Sequence, residues 1–292
     1  MRLNSEKQPQ PLKQASLLIV VSGLVSKILA ATYRIPYQNL VGDRGFYAYQ
    51  QIYPFLAIIS ALSLSALPNL IASMAQKKDE DQLTVFMTLQ FMMSFGCFLI
   101  LFLGHQQLAE WMGAPKLGTA ISLTSIALLM TPFISFYRGL AQADLNMTPT
   151  AISQMLEQII RVIIIVASAV CYLVFDWTIY TTANVAASGN VIASFTVLGY
   201  LAKKSSFSIK PYVRKFSLPL RAYRQLGLSS LVFILFSIYL LLFQLVDALF
   251  IKNSLVSAGY SNQLAEITKG IFDRGQPLVP VSYTHLRAHE TG

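Results

Sequence analysis

The chain has 292 residues, of which 54% are hydrophobic and only 12% are charged, and its formal net charge is +9. This composition excludes an ordinary soluble domain and indicates a membrane protein. The positive charge does not indicate a nucleic-acid partner, because the basic residues stand in the connections between apolar runs and do not form one polar face.

Apolar runs long enough to cross a bilayer recur along the whole chain. We predict that each is a helix, because an open sheet leaves backbone groups unpaired in lipid and the runs are too continuous for barrel strands. The fold class is therefore all-α, a polytopic bundle of about seven transmembrane helices. The predicted spans are residues 15 to 35, 49 to 74, 83 to 103, 119 to 138, 151 to 174, 178 to 201 and 226 to 250.

The basic residues predict that the N-terminus lies in the cytoplasm. With that orientation thirteen Lys and Arg fall on the inner side and six on the outer side, in agreement with the positive-inside rule. The inner set includes Arg138 and the seven cations between residues 203 and 224. The outer set consists of Arg34, Arg44, Lys116, Lys252, Lys269 and Arg274.

Two cations stand in the first predicted span. If the helix starts near Ala15, Lys27 lies about 18 Å into a hydrocarbon core of roughly 30 Å. An isolated lysine there costs about 2.5 to 3.5 kcal/mol even on mild scales, so it needs a partner. Arg34 follows seven residues later, which places it on the same helix face, about 10 Å along the axis and beside the small residues Gly23 and Ala30. This face predicts the wall of a wet cavity for an anionic guest such as a diphosphate.

The second span is polar and contains two prolines. Ser60 and Ser63 lie between Pro54 and Pro68, and prolines bend a membrane helix and free carbonyl groups that polar side chains can meet. Such a helix fits a cavity wall, and both serines are candidate binding residues. The alternative is that they are packing serines between helices.

Later spans carry three further ionisable residues. Glu157 and Arg161 are spaced i to i+4 with the acid first, which predicts a structural ion pair within one helix. Asp247 has no evident partner in its own helix, so it either binds a coupling cation or lies near the membrane interface. Cys97, Cys171 and the motif content do not indicate an enzyme or a metal site.

Three stretches resemble the lipid-linked oligosaccharide flippases of the MOP exporter superfamily, in the polysaccharide-synthesis branch that includes MurJ-like and SpoVB-like proteins. They follow one another in family order between residues 15 and 279. They read SKILAATYRIPYQNLVGDRGFYAYQQIYPF, NMTPTAISQMLEQIIR and AGYSNQLAEITKGIFDRGQPLV. Ala30 departs from the glycine that the family usually has.

The resemblance implies a transporter of about fourteen helices in two six-helix lobes and two extra helices. Residues 1 to 202 would be the N-terminal lobe, residues 203 to 224 a basic cytoplasmic linker, and residues 225 to 279 the first helix and outer loop of a truncated C-terminal lobe. Residues 280 to 292 read PVSYTHLRAHETG, and the string SYTHLRAHET within them resembles peptides translated from sequencing-adapter DNA. We therefore expect a non-native tail. The implied location is the bacterial cytoplasmic membrane.

The resemblance also implies a cargo, an undecaprenyl diphosphate that carries a sugar or peptidoglycan precursor. Lys27 and Arg34 match the basic positions of the family's first helix, although MurJ tends to have arginine where Lys27 stands. Asp43 and Arg44 would fall in the first outer loop and are further candidate binding residues. No cofactor is implied, and the transport could be coupled to Na⁺, to H⁺ or to the membrane potential.

Three functions follow from these observations. The leading one is a flippase for a lipid-linked anionic oligosaccharide that works by alternating access. The alternative is a cation-coupled multidrug antiporter of the MATE type, whose site should be acidic and aromatic. A third is a scaffold that organises cell-wall synthesis proteins without transporting anything.

Overall fold

The computed structural model describes residues 12 to 77, 80 to 205 and 220 to 275. Every regular element in these ranges is helical, which confirms the all-α class. The α-helices are α1 Leu12–Thr32, α2 Arg34–Gln50, α3 Tyr53–Ala61, α4 Leu67–Gln76, α5 Glu80–Leu103, α6 His105–Trp111, α7 Gly118–Ala143, α8 Thr148–Val174, α9 Ile179–Lys204, α10 Leu220–Ser257 and α11 Asn262–Gly275.

Six stretches of the described chain are long and apolar enough to cross a membrane, and they correspond to the second through seventh predicted spans. They are Tyr53–Gln76, Glu80–Leu103, Pro115–Ala143, Thr148–Val174, Ile179–Lys204 and Ser230–Ser257. The first predicted span corresponds to α1, for which the structure describes the backbone but not every side chain. The count of seven and the cytoplasmic N-terminus therefore stay predictions.

The helix that carries Lys27 is interrupted just before Arg34, although Tyr33 between the two segments keeps α-helical backbone angles. Helix α1 ends at Thr32, and Arg34 is the first residue of α2. Pro36 has no N–H to donate to the carbonyl of Thr32, which interrupts the helical ladder at this point.

Helix α2 is bent where we expected a loop. Gly42 has a φ of 67° and a ψ of −174°, which separates two helical segments. Asp43 and Arg44 therefore begin the second segment and are not loop residues. Positive φ is strained for residues that have a Cβ atom, so glycine suits this bend.

The hydrogen-bond ladder of the second predicted span is interrupted, as its prolines predict. Pro54 and Pro68 stand in the first turns of α3 and α4, and the π-helical turn Leu62–Ala66 joins the two helices. In this turn the N–H of Leu67 donates to the carbonyl of Leu62, one residue further back than in an α-helix. In the same pattern the N–H of residue 68 would donate to the carbonyl of Ser63, but residue 68 is a proline and has no N–H.

The largest apolar cluster lies where the C-terminal half of α2 packs against α8 and α9. It contains aromatic side chains that are almost completely buried, among them Tyr37, Phe46, Tyr47 and Tyr49. By contrast, most large apolar side chains that the structure describes on α10 are exposed, as in Phe236 and Phe243, whereas Ile234, Ile238 and Leu242 pack into the cluster of α4, α5 and α7. Exposed apolar side chains suit a helix that faces lipid.

Helix α11 is amphipathic with its charged face turned inward. Glu266, Lys269 and Asp273 are buried, whereas Leu264 and Ile271 are exposed. This is the reverse of a helix on a water-soluble protein. The predicted linker and tail fall largely on residues 206 to 219 and 276 to 292, outside the described ranges, so the division into domains also stays a prediction.

Candidate functional site

Arg34 lies at an aromatic wall between α2 and α3. Its guanidinium carbon is 5.4 Å from the centroid of the Tyr53 ring, a cation–π distance. The neighbouring Tyr33 meets Tyr49 edge to face, with ring centroids 6.1 Å apart. The Lys27 side chain lies outside the described part of the structure, so its proximity to Arg34 stays a prediction.

A buried charge cluster, formed by Arg138, Glu157 and Arg161, lies deeper in the bundle. The predicted ion pair between Glu157 and Arg161 is confirmed, with Arg161 Nη2 2.5 Å from Glu157 Oε1. Arg138 of α7 approaches the other carboxylate oxygen, with Nη2 2.9 Å from Oε2. The assignment of Arg138 to an inner connection was wrong, because α7 continues to Ala143 and the Arg138 side chain is fully buried.

Both predicted serines of the second span lie beside this cluster. The Ser60 hydroxyl accepts a hydrogen bond from Arg161 Nη2 at 3.0 Å. Ser63 contributes its backbone carbonyl, which receives no hydrogen bond from Pro68 and instead accepts one from Arg138 Nη1 at 3.0 Å. Arg138 thus stabilises the π-helical turn through Ser63, so the role of Ser63 is structural. Ser60 makes a polar contact with Arg161.

An outer ion-pair cluster forms around Glu266 of α11. Arg44 donates to Glu266 Oε2 at 2.8 Å from Nη2 and 2.9 Å from Nε, while Lys252 Nζ lies 3.1 Å from Oε1 and the Tyr180 hydroxyl 2.5 Å from it. Lys252 also donates to the carbonyl of Gly113. Arg44, Gly113 and Lys252 follow the first, third and seventh predicted spans, and Tyr180 lies at the start of the sixth. These parts of the chain therefore meet at one end of the bundle.

A second set of contacts attaches α11 to α2. Arg274 forms an ion pair with Asp43, and the Gln38 amide, oriented with its oxygen towards Arg274, accepts from Arg274 Nε at 2.6 Å. A Cβ atom built on Gly270 would lie 2.3 Å from the carbonyl oxygen of Asp43, so the two backbones approach too closely for any side chain there. Asp43 and Arg44, predicted to bind cargo, are thus engaged by α11.

The inward face of α11 also holds a buried ion pair. Lys269 Nζ lies 2.8 Å from Asp273 Oδ1, and both side chains are about 2% exposed. Asp247 of α10 and Arg34 both act electrostatically on Asp273, which places the predicted residue Asp247 near this pair. The charges of α2, α10 and α11 therefore form one neighbourhood that includes Arg34.

The two acids of α11 respond differently to their surroundings. Burial opposes ionisation of Glu266, but hydrogen bonds from Tyr180, Arg44 and Lys252 outweigh it and hold the pKa of this carboxyl below its ordinary range. Burial raises the pKa of Asp273 above its ordinary range, and Lys269 offsets only part of that effect. Glu266 is therefore the fixed anion of the outer cluster.

Sequence reasoning missed the importance of Glu266, Lys269 and Asp273. Their spacing of three and four residues places them on one helix face, which was a usable signal. Lys252 and Tyr180 carried no such signal, because they reach Glu266 only through the tertiary fold.

A family model described as polysaccharide biosynthesis protein matches residues 12 to 281. The chain belongs to the polysaccharide biosynthesis protein family. Among individual proteins, it is 34% identical over 276 residues to the membrane protein YabM of Bacillus subtilis, a match that covers 91% of this chain and 52% of YabM. Two further relatives come from the same organism.

The lipid II flippase MurJ of Bacillus subtilis is 28% identical over 202 residues, which cover 63% of this chain and 37% of MurJ. Stage V sporulation protein B is 26% identical over 177 residues, which cover 57% of this chain and 33% of that protein. The chain thus spans about half the length, or less, of these members of the polysaccharide biosynthesis family. A multi-pass bacterial membrane protein follows from these relatives and the six apolar helices.

A solved structure of a MOP superfamily transporter from Pyrococcus furiosus shares the fold of this family member. The TM-score is 0.53 at 12% sequence identity, and the match covers 84% of this chain and 56% of the transporter. At this identity the likeness establishes the fold alone. The resemblance drawn from the three sequence stretches is confirmed at the level of family and fold.

Proposed function

We propose that this chain is the N-terminal lobe and the beginning of the C-terminal lobe of a flippase, which moves an undecaprenyl-diphosphate-linked sugar or peptidoglycan precursor across the cytoplasmic membrane. Membership of the polysaccharide biosynthesis family supports the transport class, and the relative named as a lipid II flippase supports the cargo class. The remaining argument comes from charge.

One observation carries the proposal: at Arg34 and in the buried charge cluster, the described cations outnumber the carboxylates within ion-pair distance of them. Arg34 stacks on Tyr53, and within the described residues it has no carboxylate inside ion-pair distance. The buried cluster has two guanidinium groups for one carboxylate. Such a surplus at membrane depth favours an anionic guest and disfavours the organic cations of a MATE antiporter.

The outer ion-pair cluster supplies the second half of the mechanism. It attaches α2 to α10 and α11, so the bundle is closed at the end where these segments meet. Alternating access requires the ion pairs of Glu266 and of Asp43 to separate before cargo can leave on that side. The diphosphate would pair with Lys27 and Arg34 from the cytoplasmic side, while the lipid tail stays in the membrane and no bond is broken.

The test is translocation of a fluorescent undecaprenyl-diphosphate disaccharide in proteoliposomes that hold the protein in the form the cell makes. We expect the wild type to expose the probe to an impermeant quencher and the Lys27→Ala, Arg34→Ala double variant to lose most of this activity. Lys116→Ala, which removes a cation near the outer connection, is the matched control and should transport normally. Undiminished transport by the double variant would refute the assigned site.

The same preparation discriminates the alternatives. Export of cationic dyes without movement of the disaccharide lipid would favour the antiporter. Normal association with cell-wall synthases by a variant that transports nothing would favour the scaffold.

A further inference from the structure

The buried charge cluster is unbalanced, and the imbalance falls on one of its two arginines. Glu157 is buried and accepts from both Arg138 and Arg161, at 2.9 Å and 2.5 Å. No other carboxylate among the described residues lies within ion-pair distance of either guanidinium group. One positive charge is therefore left without a counter-ion in a region where an uncompensated charge is costly.

Every nitrogen atom of the Arg138 guanidinium group has a hydrogen-bond partner. The Arg138 side chain is fully buried, and each of its three nitrogen atoms donates: Nε to the Ser153 hydroxyl at 2.9 Å, Nη1 to the Ser63 carbonyl at 3.0 Å and Nη2 to Glu157. It holds α7, α8 and the π-helical turn together. Arg138 is thus the structural counter-ion of Glu157.

The Arg161 guanidinium group has fewer hydrogen-bond partners. The Arg161 side chain is 12% exposed, at the edge of the cluster, and only Nη2 makes hydrogen bonds, to Glu157 and Ser60. Its Nε atom is buried without a hydrogen-bond partner in the part of the chain that the structure describes. A buried donor on a charged group is costly to leave unpaired, and Nη1 makes no hydrogen bond within the described residues either, so this guanidinium group has donors to offer an acceptor from outside the protein.

The position of Arg161 relative to Arg34 indicates the kind of acceptor. Arg34 stacks on Tyr53 and Arg161 donates to Ser60, and these two residues of α3 stand seven apart, about 10 Å along one helix face. Two separated guanidinium groups beside one helix face suit an anion with two charged centres. A planar fork with free donors is the geometry that binds phosphate oxygens best.

We infer that Arg161 binds one phosphate of a polyprenyl diphosphate, with Arg34 on the other, and that Arg138 only positions the cluster. This inference rests on the proposed function, since it concerns the same cargo. It reassigns Arg161 from the internal ion pair that its spacing with Glu157 predicts to a cargo contact, with Glu157 and Ser60 holding its Nη2 group in place.

The experiment measures binding of farnesyl diphosphate to the purified chain in nanodiscs, together with the thermal unfolding midpoint. We expect Arg161→Gln to weaken binding about tenfold or more, the loss of one charge-assisted contact. Its unfolding midpoint should be unchanged or higher, because Glu157 and Arg138 remain as a neutral pair. Arg161→Lys, which keeps the charge but not the fork, should recover part of the affinity.

Arg138→Gln is the matched control, since it removes the same charge from the same carboxylate. We expect it to lower the unfolding midpoint strongly. If Arg161→Gln lowered the midpoint as Arg138→Gln does, or bound farnesyl diphosphate as the wild type does, the inference would be wrong. Weakened binding by Arg34→Ala alongside unchanged binding by Arg161→Gln would leave the proposed function standing, whereas no binding by the wild type would overturn both.

Discussion

Gly270 is the residue at which α11 comes closest to α2. A Cβ atom there would lie 2.3 Å from the Asp43 carbonyl oxygen, and backbone cannot move aside as a flexible side chain can. We expect Gly270→Ala to destabilise the protein by about 1 to 3 kcal/mol, a typical cost of overpacking. The thermal unfolding midpoint in detergent measures this effect.

Gly275→Ala is the control for that substitution, because it stands in the same helix and its Cβ atom would meet nothing within 4 Å. It should change stability by no more than about 1 kcal/mol, the helix-propensity difference between glycine and alanine. Equal midpoints for the two variants would show that α11 does not pack against α2 in this way.

Gly42 tests the bend of α2 without any change in packing. Its φ is 67°, and a Cβ atom would have nothing within 4 Å, so Gly42→Ala probes backbone strain alone. We expect a loss of about 1 to 2 kcal/mol in unfolding free energy. Gly23→Ala, at an equally open position within α1, should instead be neutral or stabilising. Chemical denaturation of both variants gives the comparison, and a stabilised Gly42→Ala would mean that α2 is straight.

Single residues were predictable from sequence where the contact is local. Glu157 and Arg161 are one helical turn apart, so their spacing alone gave the ion pair. Arg138 reaches Glu157 from another helix, and its place near the predicted end of a span at residue 138 suggested a cytoplasmic connection. Its burial became visible only when α7 was seen to continue for a further turn.

At the scale of elements, α11 depends on Glu266. Glu266→Gln would remove the negative charge shared by Arg44 and Lys252 and leave the Lys252 ammonium, which is 4% exposed, with neutral acceptors only. Removal of one partner from a buried pair costs about 3 to 5 kcal/mol, so α11 should detach. Hydrogen exchange of residues 262 to 275 should rise sharply.

The control is Glu110→Gln, on α6, whose carboxylate is exposed and accepts only from Gln106 at 3.4 Å. It should leave exchange in α11 unchanged and shift stability by about 0.5 kcal/mol at most. Protection of α11 that survives Glu266→Gln would contradict the role assigned to the outer ion-pair cluster.

The pKa of Glu266 gives the same element a pH dependence. Because this pKa is lower in the folded protein than in the unfolded chain, the stabilisation is complete above the unfolded value of about 4.3 and is lost as the pH falls through the folded value. Protection of α11, measured as exchange relative to the unfolded chain at the same pH, should be constant from neutral pH down to about pH 5 and fall below about pH 4. Asp273, whose pKa is raised, does not produce such an acid loss, so Glu266→Gln should abolish the step.

Elements were predicted well where hydropathy alone decides. Six apolar runs became six long helices, and Pro68 correctly predicted an interrupted hydrogen-bond ladder with a freed carbonyl. The segment after the first span was not predictable in the same way: it is only moderately apolar, so its helical form depends on aromatic residues such as Tyr37 and Tyr47 packing against α8 and α9. The inverted face of α11 likewise requires the neighbouring Lys252 and Arg44.

At the scale of the whole molecule, charge placement links the two ends of the proposed transport cycle. Arg34 and Arg161 carry surplus positive charge, while the ion pairs of Glu266 and Asp43 attach α11 to α2. Arg34 also acts electrostatically on Asp273 of α11, so an anion bound at Arg34 changes the charge balance beneath the outer cluster. We therefore expect cargo binding and the opening of that cluster to be coupled.

The most direct measurement of this coupling is the distance between spin labels on Leu264→Cys of α11 and Phe175→Cys beside α9, both exposed positions. In nanodiscs without cargo we expect one short distance, set by the ion pairs of Glu266. Addition of undecaprenyl diphosphate should create a longer distance in the wild type but not in the Arg34→Ala variant. A distribution that undecaprenyl diphosphate leaves unchanged in the wild type would contradict the account.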